Sequence, residues 1–196
     1  MNKKWIIWGI VIVLVLILYF NLKGGYNKMV ALDEQVKTSW AQVENVYQRR
    51  ADLIPNLVST VKGYADFEKE TLTGVIEARA KATAININAG QLNEQSMKQF
   101  QESQGALTSA LSKLMVVVEK YPDLKANQNF LELQAQLEGT ENRIATERRT
   151  FNEVVQNYNT TIRSFPRNIF ASMFGFQPRP NFAADAGASK APEVKF

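Results

Sequence analysis

Apolar side chains follow two regimes along this chain. From Trp5 to Phe20, sixteen consecutive residues carry no charged or strongly polar group, between Lys3 and Lys4 on one side and Asn21, Leu22 and Lys23 on the other. As a helix, Trp5 to Leu22 reaches ~27 Å, close to the ~30 Å hydrocarbon core of a bilayer. Beyond Gly24-Gly25, which reads as a hinge, the apolar positions instead recur every three or four residues, the spacing of a packed helix face. One seam runs Val36, Trp40, Val43, Tyr47, Arg50, Ile54, Leu57, Val61, Tyr64, and Leu72, Val75 and Ile76 continue it toward Arg79. A second runs Met97, Phe100, Gln104, Leu107, Leu111, Leu114, Val118, Tyr121. A third runs Phe130, Leu133, Leu137, Thr140, Ile144, Glu147, Phe151, Val154, Tyr158, Ile162. No segment alternates with period two long enough for a sheet, so the expected fold is all-α: an N-terminal transmembrane helix, then an antiparallel bundle of three to four long helices.

The breaks in the pattern set the topology. Asn86 to Gly90 reads as a helix stop and loop, and Tyr121-Pro122-Asp123 as a break with Pro122 or Asp123 opening the next helix. Pro55 lacks an amide proton and clashes with the preceding turn, so it either kinks a continuous helix or sits in the first turn of a new one capped by Asp52. The seam keeps its phase across Pro55, which favours a kink; a balanced bundle favours a turn, and the balance tips slightly to four segments. Phe165-Pro166 ends the third seam, and an aromatic stretch follows to Phe176. From Gln177 onward three prolines and a run of Ala, Gly, Ser and Lys offer little to bury, which predicts a disordered tail. The expected units are therefore an anchor with its hinge over 1–25, a bundle over 26–176 and the tail over 177–196.

The apolar run reads as a retained anchor. Trp5, Trp8 and Tyr19 suit the two interfaces, the flanking lysines can snorkel, and Leu14 and Phe20 belong to the apolar stretch itself. A cleaved signal peptide would end in small residues at an A-x-A-like site, whereas this run ends Tyr-Phe-Asn-Leu-Lys-Gly-Gly.

Composition mainly excludes. Lysine and arginine total 23 against 19 acidic residues, and without Lys3 and Lys4 the surplus is spread thinly, so no nucleic-acid footprint is expected. There is no cysteine and no histidine, which removes thiol chemistry, the commonest general base and the commonest metal ligand. No glycine-rich phosphate loop occurs.

The segment Gln48-Arg-Arg-Ala-Asp-Leu-Ile-Pro-Asn-Leu-Val-Ser-Thr-Val-Lys-Gly-Tyr-Ala65 resembles the LemA family closely. Further matching pieces are Tyr26-Asn27, Trp40, Glu119-Lys-Tyr-Pro-Asp-Leu-Lys-Ala126, Glu141-Asn-Arg-Ile-Ala145, Arg148, Phe151-Asn152, Tyr158-Asn159, Phe165-Pro166 and Gly175-Phe176. They fall in the order the family shows, from residue 26 to 176. The resemblance implies a bacterial single-pass membrane protein with a helical bundle outside the bilayer. It implies no known reaction and carries over no catalytic residue; some members of the family are linked to cell-envelope or internal-membrane organisation.

Candidate chemistry is sparse. Arg50 and Glu147 occupy seam positions where apolar residues are expected, and a buried charge needs a partner, so the two are candidates for a buried ion pair. Arg143, Arg148, Arg149 and Glu153 fit an exposed face laced with weak ion pairs, worth ~0.3 kcal/mol each. Glu138 with Glu141, and Asp66 with Glu68 and Glu70, read as solvated acids, since a di-iron bundle would add histidines. Ser59 with Lys62 and Ser112 with Lys113 fit a serine–lysine scheme only if an oxyanion-hole turn is nearby.

The expected function is accordingly a non-enzymatic, membrane-anchored scaffold or adaptor of the bacterial cell envelope, without cofactor or metal. Its partners would be the lipid bilayer and other envelope proteins or itself, met through polar Asn- and Gln-rich helix faces. The competing class is an enzyme accessory, such as a regulator of a membrane protease or of an envelope-stress system. The expected location is the bacterial cytoplasmic (inner) membrane, crossed once, with the domain on the outer face, because long domains translocate largely regardless of charge. Phe170 and Phe174, flanked by Arg163, Arg167 and Arg179, form a candidate membrane-interface segment that returns to the bilayer if the bundle has four passes.

Overall fold

A computed structural model describes residues 3–63 and 68–183, and every regular element within them is helical. The first helix, α1, runs unbroken from Lys3–Lys62 over 60 residues. It carries the apolar run straight into the bundle. The expected hinge at Gly24-Gly25 is absent, since backbone helical bonds continue through both glycines. The turn favoured at Pro55 is absent too, and α1 remains helical across it. α1 ends at Lys62 and the next helix begins at Lys69, a break the first seam did not reveal; Tyr64 and Asp66 lie outside the described residues.

The return helix α2 spans Lys69–Ala84 and packs on α1 and on α3, which spans Glu94–Val118. Between them, residues 85–93 run against α1, with one 3-10 turn at Ala89–Gln91. Asn93 starts α3 with a capping box: its side chain accepts from the Ser96 amide while the Ser96 hydroxyl accepts from the Asn93 amide. At the far end, Pro122 opens only a single turn, α4 (Pro122–Lys125), and Asn127 caps the long α5, Gln128–Arg163. α5 runs the full length of the bundle against α1. A cis Phe165–Pro166 bond precedes the short α6, Arg167–Met173. Four passes therefore exist, made by α1, α2, α3 and α5.

Buried residues reproduce the periodic seams closely. Val36 to Val61 on α1 and Met97 to Val118 on α3 are buried at the expected positions. Others depart from the pattern: Ile76 is exposed, Tyr121 and Glu147 are only half-buried, and on α5 Val155 rather than Val154 faces inward. The core divides into two. One part, around Trp40, Phe100, Phe151 and Tyr158, lies toward the apolar run; the other, around Leu57, Leu107, Leu114 and Phe130, lies at the far end. Trp40 is fully buried, its indole N–H donates to the Ile87 carbonyl at 3.0 Å, and its ring meets those of Phe100 and Phe151 edge-on.

The apolar run has no such partners. Trp5, Trp8, Leu14, Tyr19 and Phe20 are each more than half exposed along a lone helix. One helix is long and apolar enough to cross a membrane, and none of its most apolar stretch is buried against the protein, so it is not a core helix.

Candidate functional site

Between the two cores sits a polar layer centred on Arg50, which is 1% exposed. Its guanidinium donates to Glu141 Oε1 at 2.7 Å, Thr108 Oγ1 at 2.9 Å and Gln104 Oε1 at 2.6 Å, and it lies 5.1 Å from the Tyr47 ring centre. Gln104 in turn donates to the Ala82 carbonyl, so the layer ties α1, α2, α3 and α5 together at one level. The expected pairing of Arg50 with Glu147 is replaced by pairing with Glu141. Both acids are on α5, but the stagger of α5 against α1 brings the earlier one level with Arg50. Such a layer fixes helix register, because any slip strands a buried charge.

A second constellation arises from the segment expected to be disordered. Gly175 takes a φ of +78°, and Phe176 donates back to the Ala171 carbonyl, a helix-ending turn that suits glycine and sends the chain back along α5. The following residues form a strap. Tyr158 donates its hydroxyl to the Gln177 carbonyl. Asn159 accepts from the Arg179 amide at 2.9 Å and donates to its carbonyl at 2.8 Å; Asn152 does the same for Phe182 at 2.8 and 3.2 Å. Phe182, 5% exposed, stacks on Trp40 and completes the inner core beneath the start of α3. The correction to the tail thus covers 177–183, and residues 184–196 lie outside the described region. The signal for this strap was present as a repeated aromatic–Asn pair, Phe151-Asn152 and Tyr158-Asn159, seven residues apart on α5: the ring faces the core while the amide clasps backbone.

Electrostatics lock the strap. Arg179 pairs with Asp33 at 2.9 Å and donates to the Gly90 carbonyl, so it faces inward rather than toward headgroups. Burial pushes the Asp33 carboxyl up, but hydrogen bonds from Arg179 and Lys37 outweigh this and hold it below its ordinary value. Arg148 lies over the Phe182 ring and donates to the Ala183 carbonyl, a strap contact rather than part of a solvated face, whereas Arg149 and Glu153 make only a long surface pair at 3.9 Å.

At the opposite end of the strap, α6 lies against α1 just past the apolar run. Phe174 and Phe176 meet the Tyr26 ring at 5.0 and 5.9 Å, and a β-carbon on Gly25 would touch Arg167 at 3.9 Å. Of the two rings named for this segment, Phe174 is half exposed and Phe170 is the more covered. Phe165, Ile169 and Met173 share the outward apolar surface with Phe174.

The remaining candidates do not converge on a reaction. Ser112 donates to the Thr108 carbonyl of its own helix, and Ser59, Lys62 and Lys113 are exposed. Glu138 accepts from Gln134, and Glu141 serves Arg50. Among the described residues no group of three or more acids is placed to hold a metal ion. A cleft of about 260 Å³ between α1 and the α2–α3 connection contains Glu44, whose carboxyl is pushed up by burial, partly offset by the Trp40 indole. A groove of about 610 Å³ runs between α3 and α5 beside Glu141, floored by Leu111 and Leu137.

The family model described as LemA family matches residues 39–196. Among characterised proteins, the chain is 28% identical over 169 residues to Magnetosome protein MamQ 2 of Paramagnetospirillum magneticum, covering 78% of this chain and 62% of that protein. It is 27% identical to Magnetosome protein MamQ of Magnetospirillum gryphiswaldense, with the same coverage, and thus spans less than two thirds of the length of these magnetosome relatives. It is 26% identical over 156 residues to Protein LemA of Metamycoplasma hominis, covering 79% of this chain and 67% of that one.

Proposed function

Because the chain belongs to the LemA family, a group of membrane-associated helical proteins, we propose that it is a membrane-tethered, non-enzymatic scaffold or adaptor of the bacterial cell envelope. On this reading α1 crosses the cytoplasmic membrane once and carries the bundle on the outer face, where it engages other envelope proteins or further copies of itself. The observation that supports it most is the use of the buried polar groups. The Arg50 Nη atoms, Gln104, Thr108 and Glu141 bond with one another, and Asn152 and Asn159 hold the strap, so these polar groups serve the fold, which favours helix faces as the means of recognition.

The far end of the bundle offers apolar residues for such contacts: Val116 on α3 is 69% exposed, Ile76 on α2 47% and Leu131 on α5 43%. A photo-cross-linking amino acid at each of these positions in turn, in native membranes, is expected to give discrete protein adducts from at least one. Adducts from none would overturn the adaptor reading. Orientation is tested in the same cells with Val116→Cys, since the chain has no other cysteine. Labelling of intact cells by a membrane-impermeant maleimide is expected, and labelling only after lysis would place the domain inside.

A further inference from the structure

The apolar surface left uncovered at the base of the bundle has a specific address. Phe165 is 81% exposed, Met173 74%, Ile169 50% and Phe174 50%, with Ile169 and Met173 one turn apart on α6. α6 packs on α1 beside Gly25, where Arg167 lies close, and is held at Tyr26 by the edge-on ring of Phe174. Tyr26 lies four residues beyond Leu22, a rise of ~6 Å, whereas the headgroup layer on each side of a bilayer is roughly 5–8 Å thick. An α1 that spans the membrane therefore holds α6 at headgroup depth.

The charges around this surface share one sign. Lys23 and Lys28 flank it on α1, Arg163 and Arg167 on its own segment, and residues 163–176 contain no acidic side chain. Arg179, the other nearby cation in sequence, is engaged by Asp33. An apolar patch ringed by cations suits a surface that is oily below and anionic above, and the span continuous with it brings that surface within reach.

We propose that α6, with Phe165 before it and Phe174 after it, is an interfacial foot that seats Phe165, Ile169 and Met173 into the acyl boundary of an anionic bilayer. This rests on the membrane-anchored reading of α1. The foot gives the domain a second attachment and fixes which side of the bundle faces the lipid.

The test uses the full chain in vesicles of phosphatidylcholine, with and without phosphatidylglycerol. Single cysteines replace Leu14, Met173 or Val116 in turn, each carrying an environment-sensitive fluorophore, and brominated-chain lipids serve as quenchers. Quenching is expected at Leu14 and Met173 and not at Val116, stronger at Met173 when phosphatidylglycerol is present, and at least halved there by Phe165→Ser with Ile169→Ser. Both replaced residues are exposed, so helical content by circular dichroism should be unchanged. Leu14 quenched with Met173 silent would sink the foot and leave the anchor standing. Leu14 itself silent would remove the anchor and the foot with it. A probe at Met173 that responds to a spin label on a second copy, and not to brominated lipid, would overturn the lipid assignment in favour of self-association.

Discussion

At Arg50 the fold encloses a guanidinium that three helices besides its own help to satisfy, directly or through Gln104. The carboxylate that balances it is half open to solvent, with the Glu141 side chain 42% exposed, so removing the acid leaves a buried cation whereas removing the arginine leaves a solvated anion. Glu141→Ala should therefore cost about 3 kcal/mol of unfolding free energy, the low end for breaking a buried pair because that pair is partly wet. Glu147→Ala should stay within about 0.5 kcal/mol, as for surface changes that break no buried network. Equal losses in a urea titration of the two variants would show that Arg50 depends on neither acid in particular. The charged seam position at 50 was legible from periodicity alone; its partner was not. Glu141 and Glu147 differ by ~9 Å along α5, and that offset is set by how the helices slide against each other, which no single helix encodes.

Pro55 shows how one element recruits another. With no amide proton at residue 55, the Ala51 carbonyl one turn earlier loses its helical donor, and Arg79 of α2 supplies one through its Nε at 2.8 Å. The proline thus leaves an acceptor on α1 that only α2 satisfies, which explains how α1 stays helical through it. Arg79→Ala should cost about 1–2 kcal/mol in the parent, as expected for a half-buried charged hydrogen bond. In a Pro55→Ala background, where residue 55 regains its own donor, the cost should fall, giving a coupling of about 1 kcal/mol in a double-mutant cycle. Strict additivity would contradict the account. The periodic seams made α1, α3 and α5 readable because burial on a helix repeats locally. The break between Lys62 and Lys69 leaves no mark in the pattern because Leu72 and Val75 resume the same spacing beyond it, and the strap leaves none because one phenylalanine among prolines and alanines has no period at all.

For the molecule as a whole, two carboxylates give acid opposite effects. The folded state holds Asp33 below its ordinary 3.8, so its contribution is complete above that value and is lost as pH falls through the depressed one. Burial holds Glu44 above its ordinary 4.5, so its ionised form opposes folding at neutral pH, and stability is gained as pH falls through the raised value and is fully gained below 4.5. The thermal midpoint in detergent should rise on mild acidification from neutrality and fall below about pH 4 as the strap loosens from Asp33. Glu44→Gln should abolish the rise and Asp33→Asn should flatten the fall; a monotonic curve in the parent would refute the assignment. The unbroken course of α1 has a mechanical meaning as well. The 37 residues from Tyr26 to Lys62 form an arm of ~55 Å that continues the helix of the apolar span without a break. A bilayer ~2 Å thinner than a ~27 Å span is matched by a tilt near ~20°, which swings the outer tip of that arm sideways by roughly 20 Å. With α1 across the bilayer as proposed, a small change in lipid thickness is amplified about tenfold into a displacement of the surface around Val116 and Leu131, and the proposed α6 foot would be the brace that resists it.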